Sequence, residues 1–228
     1  SIQIKPDYAE AHSNLGNILN DLGRSKEAEV YYRKAIELNP NLAQAHSNLG
    51  IVLRDLGKSE EAKIYYQKAI ELNPHYAEAH YNLGNILSDL GKSKEAELSY
   101  RKAIEINPDD AEAHSHLGNT LINLDKSEEA ELSYRKAIEI NPDFAEAYYN
   151  LGITLKDLGK LKEAELSYRK SIQIKPDFAE AHSNLGNTLQ DLGKLQEAEL
   201  YTRKAIELKP DYADAYSNLG IILTDIGN

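Results

Sequence analysis

Apolar residues recur along this chain in two alternating registers. Within residues 9–42, Ala11, Leu15, Ile18, Leu19 and Leu22 fall at i, i+4, i+7, i+8 and i+11, the spacing of one apolar face of an α-helix. After Gly23, a second helical stripe follows in Ala28, Tyr32, Ala35 and Ile36, widened by Val30 and Leu38. The intervening "LGRS" predicts a helix terminator at Gly23 and an N-cap at Ser25. Asn39-Pro40 predicts the end of the second helix and the start of another, with Asn as the cap and Pro in the first turn. Glu29 and Arg33 stand four apart on the outer side, a favourable helical ion pair.

The pattern returns with a fixed step. Pro6, Pro40, Pro74, Pro108, Pro142, Pro176 and Pro210 are each 34 residues apart. Glycines follow two ladders of the same step, from Gly16 and from Gly23, and Asp125 takes one rung. Asp tolerates the left-handed conformation that rung needs. A period in this range predicts an all-α solenoid of helix pairs. The expected division is a partial second helix at 1–8, full repeats at 9–42, 43–76, 77–110, 111–144, 145–178 and 179–212, and a lone first helix at 213–228. Helices this short are marginal alone, so each must bury its apolar surface against neighbours. Gly16 and Ala28 mark where the helices of a pair approach most closely.

The residues His12-x-x-Leu15-Gly16-x-x-Leu19, then Ala28-x-x-x-Tyr32-x-x-Ala35, then Pro40 resemble the tetratricopeptide repeat, and the likeness covers the whole chain. His or Tyr (His12, His46, His80, His114, Tyr148, His182, Tyr216) replaces the usual Trp, and Leu19 and its equivalents replace the usual Tyr. Thr202 replaces the regular Tyr of the second helix, which predicts looser packing there. The resemblance implies a right-handed superhelix of antiparallel helix pairs, with first helices lining a concave groove that binds extended peptides. The "NLGN" flavour is similar to the arrays of O-GlcNAc transferases and of bacterial repeat proteins fused to transferase domains.

On the first helix, Glu10, Asn14, Asn17 and Asp21 share one face. With the family's geometry, that face lines the groove. The column reads Asn14, Asn48, Asn82, His116, Asn150, Asn184 and Asn218. A carboxamide offers both a donor and an acceptor, so this column can grip a peptide unit whatever its side chain. Asn17, Asn85, Asn119 and Asn187 widen it, while Ile51, Ile153 and Ile221 interrupt it. The competing reading is that these amides bond to neighbouring helices and stabilise stacking. Tyr81 and Tyr149 replace Ser in the adjacent Ser13 column, beside the same groove, and the Asn20 column holds seven different residues. His116 and Ile122 in the fourth repeat could form a local apolar anchor.

Charge narrows the partner. The net charge of −11, with both signs interleaved, argues against nucleic acid and anionic membranes. Groove positions Glu10, Gln44, Glu78, Glu112, Glu146, Glu180 and Asp214 lack the cations that would clamp a free carboxylate tail. They favour a neutral to basic segment instead. The histidine column is spaced by whole repeats, roughly 10 Å at ordinary helix-packing distances, too far apart to share one metal ion. No catalytic constellation and no cofactor is expected. The chain has no cysteine, hence no disulfide or thiolate chemistry, and no apolar run near the roughly 20 residues of a membrane span. With no leader pattern either, a cytoplasmic protein is the expectation. Two further uses fit: the recruiting arm of a larger transferase-type enzyme, and end-to-end self-association. For the latter, the last helix lacks a second helix to cover Leu219, Ile222 and Leu223.

Overall fold

The computed structural model describes residues 8–227, which form thirteen α-helices and no strand. The chain divides into two compact units, Ser1–Asp109 and Asp110–Asn228. The first unit holds α1 (Ala9–Asp21), α2 (Ser25–Leu38), α3 (Ala43–Asp55), α4 (Ser59–Leu72), α5 (Ala77–Asp89) and α6 (Ser93–Ile106). The second holds α7 (Ala111–Ile122), α8 (Ser127–Ile140), α9 (Ala145–Asp157), α10 (Leu161–Ile174), α11 (Ala179–Asp191), α12 (Leu195–Leu208) and α13 (Ala213–Gly227). Within each unit, odd and even helices pair as antiparallel hairpins, and each even helix packs on the next odd one. This is the arrangement of an α-solenoid. The expected second-helix remnant at 1–8 lies, apart from Tyr8, outside the described residues.

The hairpin turn is tight for a stereochemical reason. Gly23 has φ +71°, its N–H bonds to Asn20 O at 2.8 Å, and the Arg24 N–H bonds to Leu19 O at 2.8 Å. These paired bonds satisfy the last carbonyls of α1 and require a left-handed residue. Asp125 supplies the same conformation at φ +58°, with Lys126 N–H on Leu121 O at 2.9 Å.

The helix starts differ from expectation. Ser25 is the first residue of α2 and no cap, and its hydroxyl faces Asn20 Oδ1 at 3.4 Å. Asn39 and Pro40 lie in the turn before α3, which begins only at Ala43. The Asn39 carboxamide accepts from the Asn41 N–H at 3.1 Å, a local turn that outcompetes capping. Asp110 does cap, accepting from the Ala113 N–H at 3.0 Å.

Five of the six hairpins are built around one ring. An added Cβ at Gly16, Gly50 or Gly84 would stand 2.7 Å from Cε1 of Tyr32, Tyr66 or Tyr100 respectively. The glycines therefore seat tyrosine rings, with Ala28, Ala62 and Ala96 fully buried beside them. The packing at Thr202 is not looser. Its hydroxyl bonds to Ala198 O at 2.8 Å, and a Cβ on Gly186 would overlap it, because the shorter side chain lets α11 and α12 come closer. Edges show the reverse of burial. Ile18 is 56% exposed while its equivalents Val52 and Ile86 are fully buried. Ile222, expected to lie uncovered, is fully buried where α13 packs on α12, whereas Leu223 is exposed.

Outside, ion pairs join successive even helices. Glu29 meets Arg33 at 2.8 Å and Lys58 at 2.9 Å, and Arg33 also meets Glu61 at 2.5 Å. Glu131 and Glu165 repeat the arrangement with Arg135 and Lys160, and with Arg169 and Lys194. Partial burial raises the pKa of these three carboxyls, but their paired cations outweigh it and hold them below the ordinary glutamate value.

Candidate functional site

The carboxamide column is half committed to stacking. In the first unit, Asn17 Oδ1 accepts from the Tyr32 hydroxyl at 2.7 Å and from Asn48 Nδ2 at 2.8 Å. In the second, Asn119 Oδ1 accepts from the Tyr134 hydroxyl at 2.7 Å and from Asn150 Nδ2 at 3.1 Å. These bonds tie α1 to α2 and α3, and α7 to α8 and α9. What remains matters for binding. Asn17 Nδ2, Asn48 Oδ1, Asn119 Nδ2 and Asn150 Oδ1 engage no protein group among the described residues.

Both pairs border open cavities. The one in the first unit has a volume of about 330 Å³ and is lined by Asn17, Asn20, Asp21, Gln44, Asn48 and Glu78. The one in the second is about 200 Å³ and is lined by Asn119, Ile122, Asn123, Asn150 and Ile153. The first is polar and acidic; the second has an apolar floor. Ile122 lines it, but His116 does not.

Other members of the column are placed less uniformly. Asn14 is exposed, Asn82 is buried, and His116 and Asn218 are half-buried. Asn184 Nδ2 donates to the Tyr149 hydroxyl at 3.2 Å, and Asn85 Oδ1 accepts from Tyr100 at 2.7 Å. Tyr149 also packs against Phe178, ring centroids 4.7 Å apart, and Tyr81 lies 6.0 Å from Tyr100. Ser13, Ser47, Ser115 and Ser183 are buried in the helix seam, so most of that column does not face a groove surface. Two interruptions leave orphans. Ile51 gives the buried Tyr66 hydroxyl no acceptor, and Thr202 is too short to reach the buried Asn187 Oδ1. The hairpin pairing of Asn17-type and Tyr32-type residues was not read from the sequence, although its signal, a carboxamide fifteen residues before a tyrosine, recurs in it.

The carboxylates of the expected groove face are paired differently in the two units. Glu146 meets Lys175 at 2.9 Å, Glu180 meets Lys209 at 3.1 Å, and Asp191 meets Lys156 at 2.9 Å. Lys175 and Lys209 stand where the earlier repeats carry Asn, so they neutralise this part of the second unit. In the first unit, Asp21 and Glu78 have no cationic partner among the described residues.

The histidine column is structural. Nε2 of His46, His80 and His182 donates to the carbonyl of Pro40, Pro74 and Pro176 at 2.9, 3.0 and 2.9 Å. Burial pushes the pKa of all three below the ordinary 6.5. In His46 and His182 the second ring nitrogen is buried without a partner, so a proton there would find no acceptor. The unfolded chain therefore takes up protons first as pH falls. Stability should be level well above pH 6.5 and decline as pH falls below it. Thermal melts followed by circular dichroism should show this limb, and His46→Gln with His182→Gln should flatten it.

Among the described residues no three His, Cys, Asp or Glu side chains are grouped to hold a metal ion, and no helix is long and apolar enough to cross a membrane. Stacked helix hairpins, five of them closed on a Gly–Tyr contact and their neighbours joined by carboxamide and ion-pair bonds, define a helical-repeat scaffold. The chain belongs to the tetratricopeptide repeat family, whose profiles match residues 7–75, 41–109, 99–131, 118–159, 154–193 and 179–212. None of these profiles describes a catalytic domain. No curated protein matches the chain. Among solved structures it is similar to YrrB, described as a TPR protein with an unusual peptide-binding site, at 29% identity and TM-score 0.72 over 82% of this chain and 96% of that one. It is similar to MamA at 30% identity and TM-score 0.69, over 72% of this chain and 96% of that one. PilF of Pseudomonas aeruginosa shares the fold at 20% identity and TM-score 0.81, over 93% and 96% of the two chains. Tetratricopeptide arrays are scaffolds for protein–protein interaction, and this chain is one of that class.

Proposed function

We propose that the carboxamide-bearing faces of the odd helices bind an extended polypeptide through its backbone. The observation that carries this reading is the unspent half of each carboxamide pair. Asn17 with Asn48, and Asn119 with Asn150, each keep one donor and one acceptor at the border of an open cavity. One N–H and one C=O are what a peptide unit offers in return. The stacking bonds support the reading further, because they hold each carboxamide in one orientation and reduce the entropy lost on binding. Side-chain preference would come from the cavities. Asp21 and Glu78 suit a basic residue at the first unit, and Ile122 and Ile153 suit an aliphatic one at the second. The peptide-binding description of YrrB is consistent with such a ligand.

A peptide array supplies the ligand, and calorimetry with the strongest-binding peptide supplies the test. Asn48→Ala and Asn150→Ala should each weaken binding about five- to a hundredfold, as expected for one or two lost hydrogen bonds. Circular dichroism on the same samples controls for the stacking bond that each change also removes. Wild-type affinity in a folded double variant would end the proposal.

A further inference from the structure

A third cavity lies away from the carboxamide face, and none of its lining residues belongs to the two described above. It has a volume of about 520 Å³, is open to solvent, and is walled by Ile70, Leu83 and Leu98, with Gln67, Glu71 and His80 among its polar lining. Leu98 is 70% exposed. Its origin can be read from the other hairpins.

In the second hairpin, the corresponding space is filled by the chain itself. Tyr65 lies on His46 with ring centroids 5.9 Å apart. Arg33 covers the other side of that ring at 5.6 Å and donates to its hydroxyl at 2.8 Å. The sixth hairpin repeats the stack with His182, Tyr201 and Arg169, at 5.8 Å and 5.3 Å. In the third hairpin, Ser99 stands at the tyrosine position and Gln67 at the arginine position. His80 keeps its pose, donating to Pro74 O at 3.0 Å as His46 does to Pro40 O. Ser99 bonds back to Glu95 O at 3.0 Å and leaves the space empty of side chain. The imidazole floor of a ring stack is present and the ring is missing. Ser133 and Ser167 also stand at tyrosine positions, but the arginine position before each holds the bulkier Arg101 or Arg135.

We propose that this cavity takes a tyrosine side chain from a partner polypeptide, its ring on His80 between Ile70, Leu83 and Leu98 and its hydroxyl on the Gln67 carboxamide. The occupant is specified by the template within the chain: the equivalent imidazole carries a tyrosine in three other hairpins, and in two of them it holds the same bond to a proline carbonyl. Ring burial against three aliphatic side chains supplies most of the attraction. The Gln67 carboxamide replaces the donor that Arg33 provides to Tyr65.

The probe is N-acetyl-L-tyrosinamide, titrated into the whole chain and followed by heteronuclear NMR, with N-acetyl-L-leucinamide as the aliphatic comparison. Saturable shifts are expected at His80, Leu83 and Leu98, with millimolar affinity and at least tenfold weaker response to the leucine probe. Ser99→Tyr fills the space from within and should abolish the shifts while raising the melting temperature. Should Ser99→Tyr misfold, Leu98→Ser opens the wall without filling it and should weaken binding at least fivefold. Gln67→Ala should reduce tyrosinamide to the level of N-acetyl-L-phenylalaninamide. No saturable shift, equal response to leucinamide, or unchanged binding in a folded Ser99→Tyr would each overturn the proposal. None of these outcomes alters the carboxamide-face reading, whose peptide should bind Ser99→Tyr as it binds the wild type.

Discussion

Tyr134→Ala is expected to destabilise the second unit by about 3–5 kcal/mol, the usual loss when a large buried ring is truncated. The ring is 2% exposed and lies against Gly118, and its hydroxyl bonds to Asn119, which also holds Asn150 of the next hairpin. One side chain therefore fills the hairpin core and braces the seam to its neighbour. In a repeat array, stability is a sum of unit and neighbour-interface contributions, so the loss should extend over α7–α10. Urea denaturation followed by circular dichroism measures it. Tyr66→Phe is the informative contrast. Its hydroxyl is buried with no partner because Ile51 stands where Asn17 and Asn119 stand in other repeats. Burial, more than any nearby charge, drives the phenol pKa upward there, and removing the oxygen should be neutral or stabilising by up to about 1 kcal/mol. A loss as large as that of a bonded tyrosine would show that the orphan has a partner after all.

Gly118→Ala should cost about 1–3 kcal/mol by overpacking, since the new methyl would stand 2.6 Å from Tyr134 Cε1 and the ring would have to shift. Gly220→Ala should do the opposite and add about 0.5–1 kcal/mol, because that helical glycine has nothing within 4 Å and alanine is the better helix former. The same denaturation experiment separates the two. Combining Gly118→Ala with Tyr134→Ala should cost less than the sum, because removing the ring frees the space the methyl needs. Strict additivity would mean that the two residues do not share a contact.

These contrasts show what the sequence could and could not tell. Helix pairs, their 34-residue step and the left-handed rung at Asp125 were legible, because each rests on local stereochemistry and periodicity. Helix starts were not. Ser25 and Asn39 have good capping chemistry, but a local turn at Asn39 and the three-residue hairpin turn place both elsewhere. The carboxamide column was visible, yet its double use was hidden. Asn48 meets Asn17 across 31 residues, a contact that only stacking creates. The same reason hid the neutralisation of Glu146 by Lys175, 29 residues on. Thr202 misled because a smaller residue suggests a void, whereas here the backbone closes in.

The lateral bonds also have a shared reach. Glu29 to Lys58, Arg33 to Glu61 and Asn17 to Asn48 link partners 29, 28 and 31 residues apart, each within one step of the period. Splicing out or copying a 34-residue block within one unit therefore rejoins donors to acceptors of the same chemical kind wherever the period keeps the residue type, as it does not at Ile51, Lys63 and Gln67. Such a chain can lengthen or shorten by whole repeats while keeping most of its lateral joints, and Ile51 and Thr202 mark positions where a joint depends on which repeat is kept.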